Sequence, residues 1–391
     1  MAWGIVWRKE MKENLRDRRT LFSAFLFGPL SGPLLFTVLL STVLGRAVEQ
    51  TESTLRLMVV GAEQAPNLVR YLGAHGVEVV EGPSGLEAAT ELVRSQAEDL
   101  VLRVPPNFAD RFIQGRTAML QLVVDEGRQS AAASTHRVAS VIHAYGQELG
   151  LRRLLVRGIH PEVVRPVALE RIDISTPTAR SVAILGVMTY LLLFVALMGG
   201  MHVTNDSTAG ERERKSLEPL LTTPVSRAQI IFGKILAAVT FMAISLAIGL
   251  GAMSIGLRFI PLEELGMQTN FGMIEVVQIF FLMLPFVLFG AGMMAVVASF
   301  TRTYKEAQTY LAALLMVPTV PIIFASMADL KVRLWMMAVP SLSQHFLITS
   351  LMKGEALVPI HLVVSVVSTL AAAALFIGMA MRLYHREGIL G

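Results

Sequence analysis

Six stretches of the chain contain no Asp, Glu, Lys or Arg: residues 21–45, 181–203, 235–257, 276–301, 309–328 and 360–381. Each reaches the roughly 20 residues with which an α-helix crosses a hydrocarbon core about 30 Å thick. They predict six transmembrane helices, the first too far inside the chain and too well followed by others to be a cleaved leader. Between the first two, the pattern changes. Short apolar runs at 56–61, 77–81, 99–104 and 118–125 alternate with helical periodicity near 65–72, 86–95 and 129–157. The expected architecture is an α-helical integral membrane protein of six spans, with an α/β domain (46–180) inserted between spans one and two.

Charge next to the spans predicts their direction. Arg8, Lys9, Lys12, Arg16, Arg18 and Arg19 crowd the first 20 residues, which holds that end in the cytoplasm. Six crossings return the C-terminus to the same side. Arg212, Arg214, Lys215 and Arg227 after span two, Arg302 and Lys305 after span four, and Arg382 and Arg386 in the tail agree; Lys331 and Arg333 run against it. Residues 46–180 then lie outside, in a bacterial inner membrane. Trp3, Ile5, Val6 and Trp7 beside the first basic residues predict an interfacial helix over 1–20.

Composition narrows the function. A chain that is 53% hydrophobic and 16% charged, with mean hydropathy +0.58, is too apolar for a soluble enzyme of 391 residues. Without cysteine it has neither disulfides nor thiolate metal sites. Residues 46–180 carry fifteen Arg against sixteen Asp and Glu, with no Lys, so nucleic acid is excluded as a partner and membrane lipid is the expected surrounding. His136 and His143 could share a helix face, but nothing completes a metal-ligand set. No Ser sits in a spacing that suggests a nucleophile with its base, and the chain is read as non-catalytic.

The segment that remains is "GERERKSLEPLLTTPVSRAQIIFGK", 210–234, in the loop 204–228. Glu211 stands four before Lys215 and three before Arg214, which supports a short exposed helix. Ser216 could cap a second one with Pro219 in its first turn, placing Leu217, Leu220 and Leu221 on one face. Such a face either packs into the inner leaflet and neighbouring spans or docks in a groove of a soluble partner. Ser226 and Gln229 form a capping-box pattern for span three, and Lys234 is placed to snorkel to the interface. The run is not a phosphate loop, because Arg214 stands where a Gly is required. Further on, Ser341 and Gln344 form a second capping-box pattern and Gly354 a stop, predicting a short external helix over 341–354 with Leu342, Phe346 and Leu347 apolar. Gly28 with Gly32, Gly199 with Gly200, and Ser245 with Gly249 are close-packing pairs, read either as plain packing or as lining a dimer interface or path. Pro29, Pro33, Pro318 and Pro321 should bend spans one and five.

The 210–234 segment resembles the cytoplasmic loop of type-2 ABC exporter permeases, and within them the NatB-like sodium-efflux permeases. The matching residues are Gly210, Glu211, Arg212, Glu213, Ser216, Leu217, Glu218, Leu220, Leu221, Pro224, Ser226, Arg227, Gly233 and Lys234, joined by Lys9, Glu10 and "LRDRRT" (15–20). Lys215 departs from a pattern that often has a small residue. The resemblance implies that this loop contacts a separate ABC ATPase, with Glu211 to Arg214, Ser216, Leu217, Glu218, Leu220, Leu221, Pro224 and Arg227 as the coupling residues. Arg302, Lys305 and Glu306 belong to a second cytoplasmic loop. It further implies a permease homodimer, ATP and Mg2+ bound by the partner rather than by this chain, and export, of Na+ in that branch. The spans offer no charged residue to a sodium path, only rim carboxylates such as Glu263, Glu264 and Glu275, so a lipid-like, drug or peptide cargo stays open. So does a sensor or scaffold whose external domain signals through an ATPase.

Overall fold

The computed structural model describes residues 2–52, 55–83, 85–95, 97–125, 127–163, 182–216, 219, 224–260, 262, 270–327 and 332–385. Leu217, Glu218, Leu220, Leu221, Glu263, Glu264, Lys331 and Arg386 lie outside these. The chain divides into two units, Met1–Val48 with Ile174–Gly391, and Glu49–Asp173.

In the first unit, six helices among the described residues are long and apolar enough to cross a membrane: Arg18–Gly45, Gly186–Glu213, Arg227–Phe259, Met273–Phe300, Tyr304–Ala325 and Pro359–Tyr384. Spans two, three and four form the core, with Leu192, Leu193, Leu197, Phe241, Met242, Leu246, Phe286 and Val287 all buried. Lipid tails are as apolar as these side chains, so close backbone approach has to hold the helices together. The glycine pairs serve that purpose within this chain. A side chain at Gly199 would strike Ser245, one at Gly249 would strike Val195, and Gly28 and Gly32 face Met198 and Leu191 of span two. Leu34, Leu35, Val38 and Leu39 on span one and Val363, Val367 and Leu375 on span six stay exposed, as a lipid-facing surface requires.

Three spans depart from straight α-helices. Span one opens with a π-helical turn, Phe22–Phe27, before Pro29 and Pro33. Span five breaks between Leu314 and Thr319, where Pro318 cannot continue the ladder and restricts the residue before it. Span two runs on past its uncharged stretch through a second π-helical turn, Asp206–Gly210, to Glu213. Glu211, Arg212 and Glu213 are therefore the last turn of span two, a correction to the short exposed helix expected there. Arg214 binds Asp206 at 2.8 Å instead of Glu211, and Lys215 takes φ 55, a left-handed conformation uncommon without glycine, which ends the helix.

The second unit is a small α/β fold. Strands β1 (Leu55–Val60), β2 (Val77–Glu81), β3 (Leu100–Arg103) and β4 (Gln121–Val124) form one sheet in the order β2-β1-β3-β4. β1 is parallel to β2 and β3, and β4 is antiparallel to β3. Helices Pro66–Ala74, Leu86–Arg94 and Gln129–Val156 accompany it, with Phe108–Ile113 as an addition to the expected set. Leu57, Val59, Leu68, Leu72, Leu102 and Val138 fill one core, and Val60, Ala89, Val93 and Val101 another. His136 and His143 do share an exposed groove on Gln129–Val156, flanked by Ala139, Ser140, Ala144 and Gln147.

Candidate functional site

The N-terminal helix, Ala2–Arg16, packs along span three. Trp7 Nε1 donates to Thr240 Oγ1 at 3.1 Å, and the Trp3 ring meets Phe232 edge-on with centroids 6.0 Å apart. Gly233 is what lets the helices meet, since a Cβ there would lie 2.8 Å from the Trp3 carbonyl. Val6 is buried in this contact while Ile5 points outward. Asp17 then caps span one, accepting the Arg19 and Thr20 N–H groups at 3.0 and 3.2 Å. The Thr20 hydroxyl at 2.6 Å, with the two backbone donors helping, holds its carboxyl below the usual range against the opposing effect of burial.

That packing brings Lys9 and Glu10 to the end of span two. Lys9 Nζ lies 2.8 Å from Glu211, 3.1 Å from Glu10 and 3.2 Å from Glu13. Lys234 is 1% exposed; its ammonium pairs with Glu211, donates to the Ser207 carbonyl at 2.5 Å and stands 3.9 Å from Glu10. Lys234 is thus a buried partner rather than the snorkelling residue expected from its position at the edge of an uncharged run. The end of span two sets the Ser207 carbonyl and the Glu211 carboxylate side by side, which gives a buried ammonium two oxygens to bind. Oxygens of Glu10, Glu13 and Glu211 come within 4.8 Å of one another, a spacing that could suit a metal. Two lysine ammonium groups already lie among them, so the cluster closes on its own charges.

Burial pushes the Glu10 carboxyl above the usual carboxylate range, Glu211 adding to that rise while Lys234 and Lys9 oppose it. Burial works against the Lys9 charge, but Glu10 and Glu211 outweigh it and raise its pKa. For Glu10 the folded pKa exceeds the unfolded one, so the folded state binds more protons between the two values. Its contribution to stability is full below the unfolded value and is lost as pH rises through the folded one. Glu10→Gln should flatten this slope in thermal melts of the full chain in nanodiscs; an unaltered slope would remove the carboxyl as its source.

Arg212 and Glu213 turn the other way, toward the turn between spans four and five. Arg212 donates to the Thr301 carbonyl and, at 3.1 Å, to the Ser299 carbonyl, two of the oxygens that the end of span four leaves without helical partners. Glu213 accepts the Tyr304 N–H at 2.6 Å, one of the free donors at the start of span five. Adjacent residues of opposite charge therefore cap adjacent helix ends of opposite polarity. Asn205 adds a bond to the Tyr304 carbonyl at 3.1 Å. In that second loop Glu306 accepts the Arg302 N–H at 2.9 Å and Thr303 caps the Glu306 N–H, while Arg302 and Lys305 are exposed.

The structure thus brings Glu211, Arg212 and Glu213 together with the 301–306 turn. Arg214 stays with Asp206, and the Ser216 hydroxyl returns to the Glu211 carbonyl at 3.2 Å. Past the undescribed leucines, Pro224 is exposed, Ser226 accepts the Gln229 N–H at 3.4 Å, and Arg227 donates to the Tyr384 carbonyl of span six at 3.3 Å. Lys9, Glu10 and Lys234 are the site residues that sequence reasoning did not assign. Their signal was present among the residues that carry the resemblance to exporter permeases, but nothing in the sequence paired them.

The family model described as ABC-2 family transporter protein matches residues 22–382. Over 362 residues the chain is 26% identical to ABC transporter permease protein NatB of Bacillus subtilis (strain 168), covering 89% of each chain. Over 271 residues it is 28% identical to the Escherichia coli (strain K12) protein named Probable multidrug ABC transporter permease YbhR, covering 65% of this chain and 66% of that one.

Proposed function

The chain belongs to the ABC-2 transporter family, a multi-pass membrane permease whose relatives work with an ABC ATPase, and from that premise we propose that residues 204–228 receive the stroke of a separate ATPase and pass it to the spans as export. The observation that carries this reading is the double attachment of the loop's root. Through Glu211 it is tied to span three and the N-terminal helix, and through Arg212 and Glu213 to the ends of spans four and five. A force that reaches the loop's root at Glu211, Arg212 and Glu213 therefore acts on four other elements.

In this reading ATP and Mg2+ are bound by the partner, and the chain works as a homodimer because two nucleotide-binding subunits enclose ATP between them. The basic N-terminal segment and both loops around Glu211 and Arg302 face the cytoplasm, the Glu49–Asp173 unit lies outside, and the membrane is the bacterial inner one. Na+ enters as cargo through the resemblance of the 210–234 segment to sodium-efflux permeases. The uncharged stretches of the spans favour the second cargo class, an amphiphile. Inverted vesicles carrying this chain with its ATPase should accumulate 22Na+ or a fluorescent amphiphile only when ATP is supplied. ATP hydrolysis stimulated by an external protein, with flux of neither, would replace the exporter by a sensor.

A further inference from the structure

The helix Ala2–Arg16 presents two unlike faces. Val6, Glu10 and Asn14, spaced four apart, are buried, and with Trp3 and Trp7 they make the side that meets span three. At about 100° per residue, Ile5, Arg8, Lys12, Leu15 and Arg16 fall within an arc of about 100° on the opposite side. All five are exposed, Ile5 at 74% and Leu15 at 46%. The side chains of Arg8, Lys12 and Arg16 form no ion pair or hydrogen bond among the described residues, and Glu13, one turn from Arg16, is paired instead with Lys9 at 3.2 Å. The outer face therefore carries three uncompensated cations, about 6 Å apart along the axis, with an aliphatic side chain towards each end.

Span three fixes the depth of this face. Its uncharged stretch begins at Ile235, yet Trp7 donates to Thr240, about 8 Å inside that stretch. Trp3 and Val6 sit against Gly233, just before it. The helix thus lies where hydrocarbon gives way to headgroups, the depth at which tryptophan-bearing interfacial helices rest. One residue, Asp17, separates it from span one, whose Phe22, Leu26 and Phe27 are exposed in turn. Because span three occupies one side of the helix, the opposite side looks away from the bundle at headgroup depth, where its surrounding is lipid.

We propose that Arg8, Lys12 and Arg16 form a binding face for the phosphate headgroups of anionic phospholipids, with Ile5 and Leu15 entering among the acyl chains beside them. Each guanidinium can donate to two phosphate oxygens at once, and the Lys12 ammonium adds a point charge between them. Net charge selects the lipid, because a zwitterionic headgroup brings its own cation to the face and an anionic one does not. An acidic surface on a soluble partner would satisfy the three cations but not two aliphatic side chains at headgroup depth. The site needs neither the exporter reading nor an ATPase.

The full chain in neutral maltoside micelles should bind tritiated dioctanoylphosphatidylglycerol saturably and on the order of tenfold more tightly than dioctanoylphosphatidylcholine. The preference should shrink as salt is raised, since exposed charges are screened. Lys12→Gln should halve it, to about twofold weaker binding of the anionic lipid, and Arg8→Gln, Lys12→Gln and Arg16→Gln together should make the two lipids equal. Arg8→Lys with Arg16→Lys, which keeps the charge, should keep most of the preference. Because the three side chains are exposed, the melting temperature in phosphatidylcholine nanodiscs should stay the same in every variant. A preference that survives in the triple glutamine variant would overturn the site, and weakened affinity of that variant for the ATPase would then give the face to a soluble partner. Loss of the preference in the charge-keeping variant, or a lowered melt in the triple one, would mark a structural role and overturn it as well. Equal affinity for sn-glycerol 3-phosphate would overturn the lipid in favour of a free phosphate ester.

Discussion

Leu220→Asp combined with Leu221→Asp should abolish the ATP hydrolysis that the permease stimulates in its partner, while the thermal melt of the permease stays unchanged. These leucines share a face with Leu217 by their spacing, and a short apolar face between charged flanks is the form in which helices enter a partner's groove. Burying a carboxylate there without a counter-charge costs several kcal/mol per ion, and about 3 kcal/mol already weakens a complex more than a hundredfold. The permease itself should tolerate the change because both flanks are held independently, at Glu211 to Ser216 on one side and by the Ser226 cap and Arg227 on the other. ATPase activity of the reconstituted pair and a binding isotherm between the two subunits would measure it. Full stimulation in the double variant would remove the docking role from this face.

Lys234→Met should destabilise the fold by about 3–5 kcal/mol, the usual result of removing one partner from a buried ion pair. The variant keeps the volume and apolar stem of the side chain but leaves Glu211 and Glu10 sharing the half-exposed Lys9 alone. It also strips the Ser207 carbonyl of its donor. Adding Glu211→Gln should recover much of the loss, because the uncompensated charge is then gone. The double-mutant cycle, read from denaturant unfolding in mixed micelles, gives the coupling directly. A single-variant loss under about 1 kcal/mol would mean that the pair behaves as a surface contact.

The spans could be read from the sequence because charge is so costly in hydrocarbon that about twenty residues without it mark a helix built for a membrane. The strands of the second unit were legible because runs such as 56–60 are too short and too β-branched for helices. The site was legible in part. Arg212 and Glu213 are prominent by composition, but what they cap lies 87 to 91 residues away, and sequence spacing reports only neighbours on the same helix. Lys234 was misread for a related reason: a lysine at the border of an uncharged run ordinarily reaches for water, and only the folded contact with Ser207 and Glu211 of span two reverses that. Phe108–Ile113 was missed because six residues between Pro105 and Gly115 are too few to establish a period.

The π-helical turn at Asp206–Gly210 has a consequence for the direction in which the loop departs. A wide turn holds one residue more than an α-helical one, so every side chain after Gly210 is set back by about 100° from where a continuous helix would aim it. That phase offset is what points Glu211 toward the lysines and its two successors toward spans four and five. The bearing of the loop is thus set by the girth of a single turn, and a one-residue change of register there would re-aim it while the bundle stood still.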